Sequence, residues 1–214
     1  LISIVVPCYN EEESLPLFYD EIKRVASEMK EKNELSFEYI FVDDGSKDKT
    51  WQIIEELHSD SPEYFSGINL ARNSGHQNAV LAGLMTVKDI CDIAITMDAD
   101  LQDDINAIDS MVEEYYKGNQ VVYGVRSERK TDTFFKRFTA ESFYKFMKVM
   151  GADVVYNHAD FRLMSKVVLK ELENFKEVNL FLRGMIPLIG YKSTSVYYER
   201  NERFAGESKY PLKK

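Results

Sequence analysis

Asp98 and Asp100, one residue apart, follow directly on the apolar run Ile93–Met97 and precede Gln102 and Asp103. Two carboxylates leaving a buried strand put hard oxygen donors on a loop at a sheet's carboxyl edge, where open α/β folds bind ligands. Such a pair suits Mg²⁺ or Mn²⁺ shared with substrate phosphates. An ion bridging a diphosphate would neutralise charge that builds on a departing nucleotide, an electrostatic contribution worth several kcal/mol. A lone Asp-x-Asp is most often a pair of solvated loop acids. This pair stands out because other unusual clusters also end predicted strands.

Pro7-Cys8-Tyr9-Asn10-Glu11-Glu12 is the first of them. The proline stops the strand ladder and frees the loop. Tyr9 could pack on a flat ring, and Glu11 or Asn10 could bond a base or ribose. The alternative is a turn leading into an acidic first helical turn, which suits the helix macrodipole. Asp43-Asp44-Gly45-Ser46 is the second, with a glycine that permits close approach or a positive φ. One carboxylate there could accept from a base N–H or a ribose hydroxyl, and the other could cap the next helix. Arg72-Asn73-Ser74-Gly75-His76 is the third, pairing a cation with a turn that presents backbone N–H groups. His58 and His158 have no spaced Cys or His partners, so the sequence offers no zinc site.

These loops need a parallel sheet behind them, and the hydrophobic rhythm supplies one. Apolar runs at 1–6, 37–42, 64–70, 92–97 and 120–124 alternate with amphipathic helical stretches at 14–30, 49–58, 77–87 and 105–116. That alternation predicts an α/β fold with a mainly parallel twisted sheet and helices on both faces. Beyond Gly124 the rhythm changes. Residues 133–150 read as a helix crowded with Phe134, Phe135, Phe138, Phe143 and Phe146, 178–189 as an apolar segment, and 193–198 as a strand. The Phe-rich helix holds more aromatics than one face can bury, and its Lys136, Arg137, Lys145 and Lys148 would suit lipid head groups.

The chain has 214 residues and 44% apolar content, enough for one sizeable core. Its net charge of −9 argues against sequence-independent nucleic-acid binding, which needs a basic face. The exception is the basic end of the chain, with Arg200, Arg203, Lys209, Lys213 and Lys214. Cys8 and Cys91 read as buried thiols of a reducing compartment. No run approaches the roughly twenty apolar residues that span a bilayer.

Taken in order, Pro-x-Tyr-Asn-Glu-Glu, Asp-Asp-Gly-Ser, Arg-Asn-x-Gly and Asp-Ala-Asp-Leu-Gln-Asp resemble the inverting family 2 glycosyltransferases. Later residues narrow the resemblance to the polyprenyl-phosphate glycosyltransferases, relatives of dolichyl-phosphate mannose synthase and bacterial undecaprenyl-phosphate glucosyltransferases. They are Val125-Arg126-x-x-Arg129, Asp160-Phe-Arg162-Leu, Phe181-Leu-Arg183-Gly and Arg200-x-x-Arg203-x-Ala-Gly206-Glu-Ser208-Lys209-Tyr-Pro211. The resemblance implies a GT-A fold over 1–214. Residues 1–124 would form a nucleotide-sugar-binding half, and 125–214 an acceptor-binding half ending in a phosphate-binding loop. Membrane helices, which follow that loop in many members, would be absent from this chain.

The resemblance also implies roles. Pro7, Tyr9, Glu11 and Asp44 would hold the base and ribose, with His76 beside the nucleotide. Asp98, Asp100 and Gln102 would hold Mg²⁺ or Mn²⁺ and the diphosphate. Asp160 would face the reacting sugar or acceptor. Arg200 and Arg203 would act at the reacting phosphates, and Arg126, Arg129, Arg162, Arg183, Ser208 and Lys209 would bind the acceptor phosphate. A polyprenyl phosphate is already anionic and can attack without a strong base. Arginine forks and a lysine would then hold two phosphate groups together against their repulsion.

The activity so implied is transfer of a hexose, with glucose from UDP-glucose favoured, to undecaprenyl phosphate at the cytoplasmic face of the membrane. Alternatives are mannose from GDP-mannose, an N-acetylhexosamine donor, a glycan hydroxyl acceptor, a nucleotidyltransferase and a non-catalytic nucleotide-sugar scaffold. Family 2 relatives are often homo-oligomers, although no patch here shows it. Three departures from close relatives bear on the donor: Asp104-Ile105-Asn106 in place of Pro-Pro-Glu, Ala159 in place of Gly, and His76 in place of Lys.

Overall fold

The computed structural model describes residues 1–33, 35–127, 158–175 and 181–200. Seven strands form one sheet: β1 (Ile2–Cys8), β2 (Phe37–Asp43), β3 (Phe65–Asn69), β4 (Ile93–Thr96), β5 (Val121–Arg126), β6 (His158–Ser165) and β7 (Ser193–Tyr198). Their spatial order is β3-β2-β1-β4-β6-β5-β7. All pairs are parallel except β4–β6 and β5–β6, because β6 runs against both neighbours. The helices are α1 (Leu15–Asn33), α2 (Thr50–Asp60), α3 (His76–Val87), α4 (Ala107–Tyr116), α5 (Lys166–Leu172) and α6 (Leu182–Leu188).

The five strands and four helices expected before Gly124 are present, as is β7. The strand β6 and the helix α5 were not expected. Inserted between β4 and β5, β6 turns the expected parallel sheet into a mixed one. The expected apolar segment 178–189 contains α6, and the expected Phe-rich helix at 133–150 lies outside the described residues.

Alternation along β1 explains the two layers. Ile2, Ile4 and Val6 face one core with α1, α2 and α4, whereas Val5 faces the other with α3, α5 and α6. In α1 the apolar side chains recur at Leu15, Phe18, Ile22 and Val25, all buried, so one stripe lies on the sheet. Phe18 meets Phe41 edge-on at 6.3 Å, and Phe65 stacks on Tyr39 at 5.2 Å. Burying each such ring contributes about 1.5–3 kcal/mol. Cys8 and Cys91 are both free and buried.

On the other face, α3 lies close to the sheet at Gly83. A methyl group there would come within 2.3 Å of Val5 Cγ1 and 3.0 Å of Val42 Cγ2. Overpacking of this kind costs about 1–3 kcal/mol. Alanine's better helix propensity recovers ~1 kcal/mol of it. Gly83→Ala is therefore expected to lower the unfolding free energy by up to about 2 kcal/mol, measured by urea denaturation. A variant as stable as the parent would mean that α3 can lift off the sheet without cost.

Candidate active site

The parallel strands β1, β2 and β4 deliver their carboxyl ends to one edge, with Cys8 in register with Asp43. Antiparallel β6 brings its first residues to the same edge. Thr96 pairs with Arg162, and the Thr96 hydroxyl donates to the Asp160 carbonyl at 2.5 Å. Asp160 thus arrives beside the Asp98 loop because β6 runs backwards.

The first three loops are bonded to one another. Asp44 is buried, and its two carboxylate oxygens accept the backbone amides of Ser74 at 2.6 Å and Gly75 at 3.0 Å. Between them Gly45 takes φ +68°, and a Cβ there would sit 2.5 Å from the Arg72 carbonyl carbon. Only glycine meets both demands. Asp43 accepts the Ser46 amide at 3.3 Å and the Ser46 hydroxyl. Asn10, at φ +52°, donates its amide to Ser46 Oγ at 2.9 Å and accepts the Lys47 amide at 2.9 Å. Glu11 donates its amide to Thr50 Oγ1 and accepts the Ser14 hydroxyl at 2.6 Å. Pro7, Tyr9 and Glu11 lie partly exposed along this edge. Asp48 accepts the Thr50 amide at 3.0 Å, so the start of α2 is served by Asp48 and not by Asp43 or Asp44, whose bonds go to Ser46, Ser74 and Gly75.

The Asp98 loop turns at Leu101, whose φ is +56°. Asp100 is buried and accepts the Gln102 amide at 3.1 Å. The Asp98 side chain is 35% exposed, open enough to meet a ligand. Arg200, at the end of β7, donates to Gln102 Oε1.

Asp160 is surrounded by cations. Arg183 donates through Nε at 3.1 Å and Nη2 at 3.0 Å, and Arg162 donates through Nη2 at 2.7 Å. His76 Nε2 lies 3.5 Å from Asp160 and 3.9 Å from Asp98, within ion-pair reach but without an aligned hydrogen bond. Burial alone would raise the Asp160 carboxyl. The neighbouring His76, Arg183 and Arg162 more than reverse this, holding it well below the usual carboxylate range. For His76, burial disfavours the proton, but Asp160 and Asp98 favour it more and raise its pKa. Asp98 goes the other way. Burial, with Asp103, Asp100 and Asp160 nearby, pushes it up to about 6 despite the opposing pull of His76.

Two arginines expected at the acceptor phosphate are engaged elsewhere. Arg162 is buried behind Asp160, and Arg126 forks onto Asp103 at 2.9 and 3.2 Å. Of the arginines expected at the phosphates, Arg183 is partly exposed and Arg200 is exposed. Arg129, Arg203, Ser208 and Lys209 lie outside the described residues. Asp103 closes the Asp-Ala-Asp-Leu-Gln-Asp motif, but sequence reasoning gave it no role in the site. Its Oδ1 gathers Arg126 and the Tyr198 hydroxyl, and the signal that could have marked it was the acid directly following Asp-Ala-Asp-Leu-Gln.

Among the described residues, no three His, Cys, Asp or Glu side chains form a ready metal shell. Asp98 and Asp100 offer hard oxygens in a crowd of carboxylates that leaves Asp98 short of positive charge. That donor set fits Mg²⁺ or Mn²⁺ bound through one or two carboxylates, the shell being completed by diphosphate oxygens and water.

Comparison with known proteins identifies the family. The family model described as glycosyl transferase family 2 matches residues 3–173. The chain belongs to glycosyl transferase family 2. It is 50% identical to the uncharacterized glycosyltransferase YkoT of Bacillus subtilis over 100% of this chain and 64% of that protein. It is 39% identical to the bactoprenol glucosyl transferase of Shigella phage SfX, over 98% of this chain and 67% of that one. The chain thus spans about two thirds of the length of the curated relatives it matches. Among solved structures, a Pyrobaculum calidifontis mannosyltransferase in complex with GDP-mannose and Mn²⁺ superposes with a TM-score of 0.61. It shares 17% identity and covers 92% of this chain and 54% of its own, a likeness of fold. This family 2 chain therefore has the GT-A fold that its motifs implied.

The raised Asp98 carboxyl has a consequence for stability. Folded Asp98 keeps its proton up to a pH of about 6, whereas an unfolded aspartate loses it near ~4. Between those values the native state binds the extra proton, so this group's contribution falls as pH rises and stays low above the window. In metal-free protein, Asp98→Asn is expected to raise the thermal midpoint relative to wild type, by more at pH 7.5 than at pH 4. Thermal melts across that range check it. An equal offset at both pH values would show that Asp98 titrates normally.

Proposed function

We propose that this chain is the catalytic part of a metal-dependent inverting glycosyltransferase that moves a hexose, glucose from UDP-glucose, onto a polyprenyl phosphate at the cytoplasmic membrane face. Asp98 and Asp100, with Gln102 beside them, would hold the divalent ion and the donor diphosphate. When bound, that ion stabilises the negative charge of the leaving nucleoside diphosphate. Pro7, Tyr9 and Glu11 line the edge where base and ribose would lie. Asp44 supports that surface by fixing the Ser74–Gly75 turn, and His76 follows this turn at the start of α3. The relatives named for bactoprenol glucosyl transfer support the acceptor and the sugar.

The observation that carries the choice of acceptor is the state of Asp160. A hydroxyl acceptor needs a base to take its proton, with a pKa near the working pH. Asp160 is held far below that range by Arg183, Arg162 and His76, so it is a poor base. A phosphate acceptor is already ionised and needs none. What it needs is a cation that can approach it, and Arg183 is the partly exposed arginine beside Asp160. Asp160 would then hold the Arg183 fork in place for the acceptor phosphate and keep His76 charged next to the donor.

No helix among the described residues is long and apolar enough to cross a membrane. Access to a lipid acceptor would fall to the surface around α6, where Phe181 and Leu188 are exposed.

The test is a donor panel of UDP-glucose, GDP-mannose and UDP-N-acetylhexosamines, each with Mn²⁺ or Mg²⁺ and a short polyprenyl phosphate. Labelled lipid and free nucleoside diphosphate are followed together. Glucosyl lipid and UDP are expected in equal amounts, and Asp100→Ala should lower the rate by about 100-fold or more. Pyrophosphate release, or transfer only to oligosaccharide hydroxyls, would overturn the reading.

A further inference from the structure

The chain between β4 and α4 carries the proposed ion ligands, and it is fastened at both ends. At its start the Thr96 hydroxyl is bonded to the Asp160 carbonyl. At its end Asp103 is almost fully buried, and its Oδ1 accepts Arg126 Nη2 at 2.9 Å, Arg126 Nε at 3.2 Å and the Tyr198 hydroxyl. Arg126 and Tyr198 are register partners on the adjacent strands β5 and β7, so the sheet presents both donors side by side. The Tyr198 ring is itself fixed edge-on against Phe161 at 5.5 Å. Two residues further on, Arg200 donates to Gln102 Oε1, a second tie from the same strand end to the same loop.

We propose that Asp103, Arg126 and Tyr198 are positioning residues that latch the Asp98–Gln102 loop to the ends of β5 and β7 and so set the geometry in which Asp98 and Asp100 meet the ion. The inference rests on the function proposed above for its ion, but the latch itself is a property of the loop.

The physical argument is one of constraint. Asp98, Asp100, Asp103 and Asp160 repel one another, and a loop of small and polar residues with a positive-φ turn at Leu101 could relax outward to separate them. The charge-assisted bonds from Arg126 oppose that relaxation, because moving Asp103 would break two of them at a partly buried guanidinium. The second oxygen of Asp103 has no partner among the described residues although it is buried. A lone packing role would leave no reason to bury a carboxylate with half its acceptors empty. Groups that orient metal ligands in this way typically change metal affinity by about tenfold or more when removed.

Tyr198→Phe removes the hydroxyl and keeps the ring against Phe161, so it is the first variant, and Asp103→Asn is the second. Two measurements are made on each: hydrogen exchange of the amides from 99 to 103 without metal, and Mn²⁺ affinity in the presence of UDP, read from the Mn²⁺ spin-resonance signal. Faster exchange confined to this loop and about tenfold weaker Mn²⁺ binding are expected in both. The double variant should be little worse than either single one, since all remove the same latch. Gly83→Ala is the control for general destabilisation and should alter neither measurement. Wild-type exchange in the loop of both variants would overturn the latch. If the parent chain itself binds no Mn²⁺ with UDP, the functional reading fails, and the exchange result alone still decides the latch.

Discussion

Electrostatic repulsion among four aspartates dominates this molecule's strand-end edge. Asp98, Asp100, Asp103 and Asp160 gather where water is partly excluded, and like charges a few ångströms apart interact more strongly there than in bulk solvent. The fold answers with fixed cations at specific atoms. Arg126 neutralises Asp103, and Arg162 and Arg183 neutralise Asp160. His76 stands between Asp160 and Asp98. Among the cationic groups of the described residues, Asp98 has only His76 near it, 3.9 Å away, and its carboxyl is the one pushed upward.

That balance explains why β6 must run antiparallel. A parallel strand beside β4 would bring its carboxyl end, not its start, to this edge. Running backwards, β6 puts Asp160 and Arg162, two residues apart, near the edge, held to β4 by Thr96. The sheet's one reversal therefore sits between the parallel strands β1 to β4 and the β5–β7 pair. From that second side come Arg126, Tyr198 and Arg200, which reach back onto the Asp98 loop. Neither side alone would complete the edge.

The local parts of this arrangement were legible in the residues. Alternating apolar runs and amphipathic stretches located the first five strands and four helices, because each of those patterns is set within one element. The strand-end clusters were legible for the same reason. What escaped was non-local. Residues 158–165 mix charged and apolar side chains with Arg162 inside the core, so no clean alternation marks them as a strand; their burial depends on the Asp160 partner two residues away. Asp103 and Tyr198 are 95 residues apart, and no spacing rule pairs them. Asp44 illustrates an intermediate case: its cluster was noticed, but its bonds to the Ser74 and Gly75 amides follow only from the parallel pairing of β2 with β3.

The same bonds bear on how donor and acceptor could be brought together without repelling one another. A diphosphate and a phosphate monoester are both anions, and at contact distance the cost of pairing them in a poorly hydrated site is several kcal/mol. Cations lying between them must be held firmly, or they would follow whichever anion binds first. Arg183 is held through a bidentate fork to Asp160, and His76 Nε2 lies 3.5 Å from the same carboxylate. Under the proposed function Asp160 would be the counter-charge that keeps Arg183 in place between donor and acceptor and favours the proton on His76. The low pKa that makes it a poor base would suit it to this purpose, since Arg183, Arg162 and His76 favour its ionised form. A carboxylate that titrated near neutrality would release its cations as the local potential changed, and the boundary between the two sites would dissolve with them.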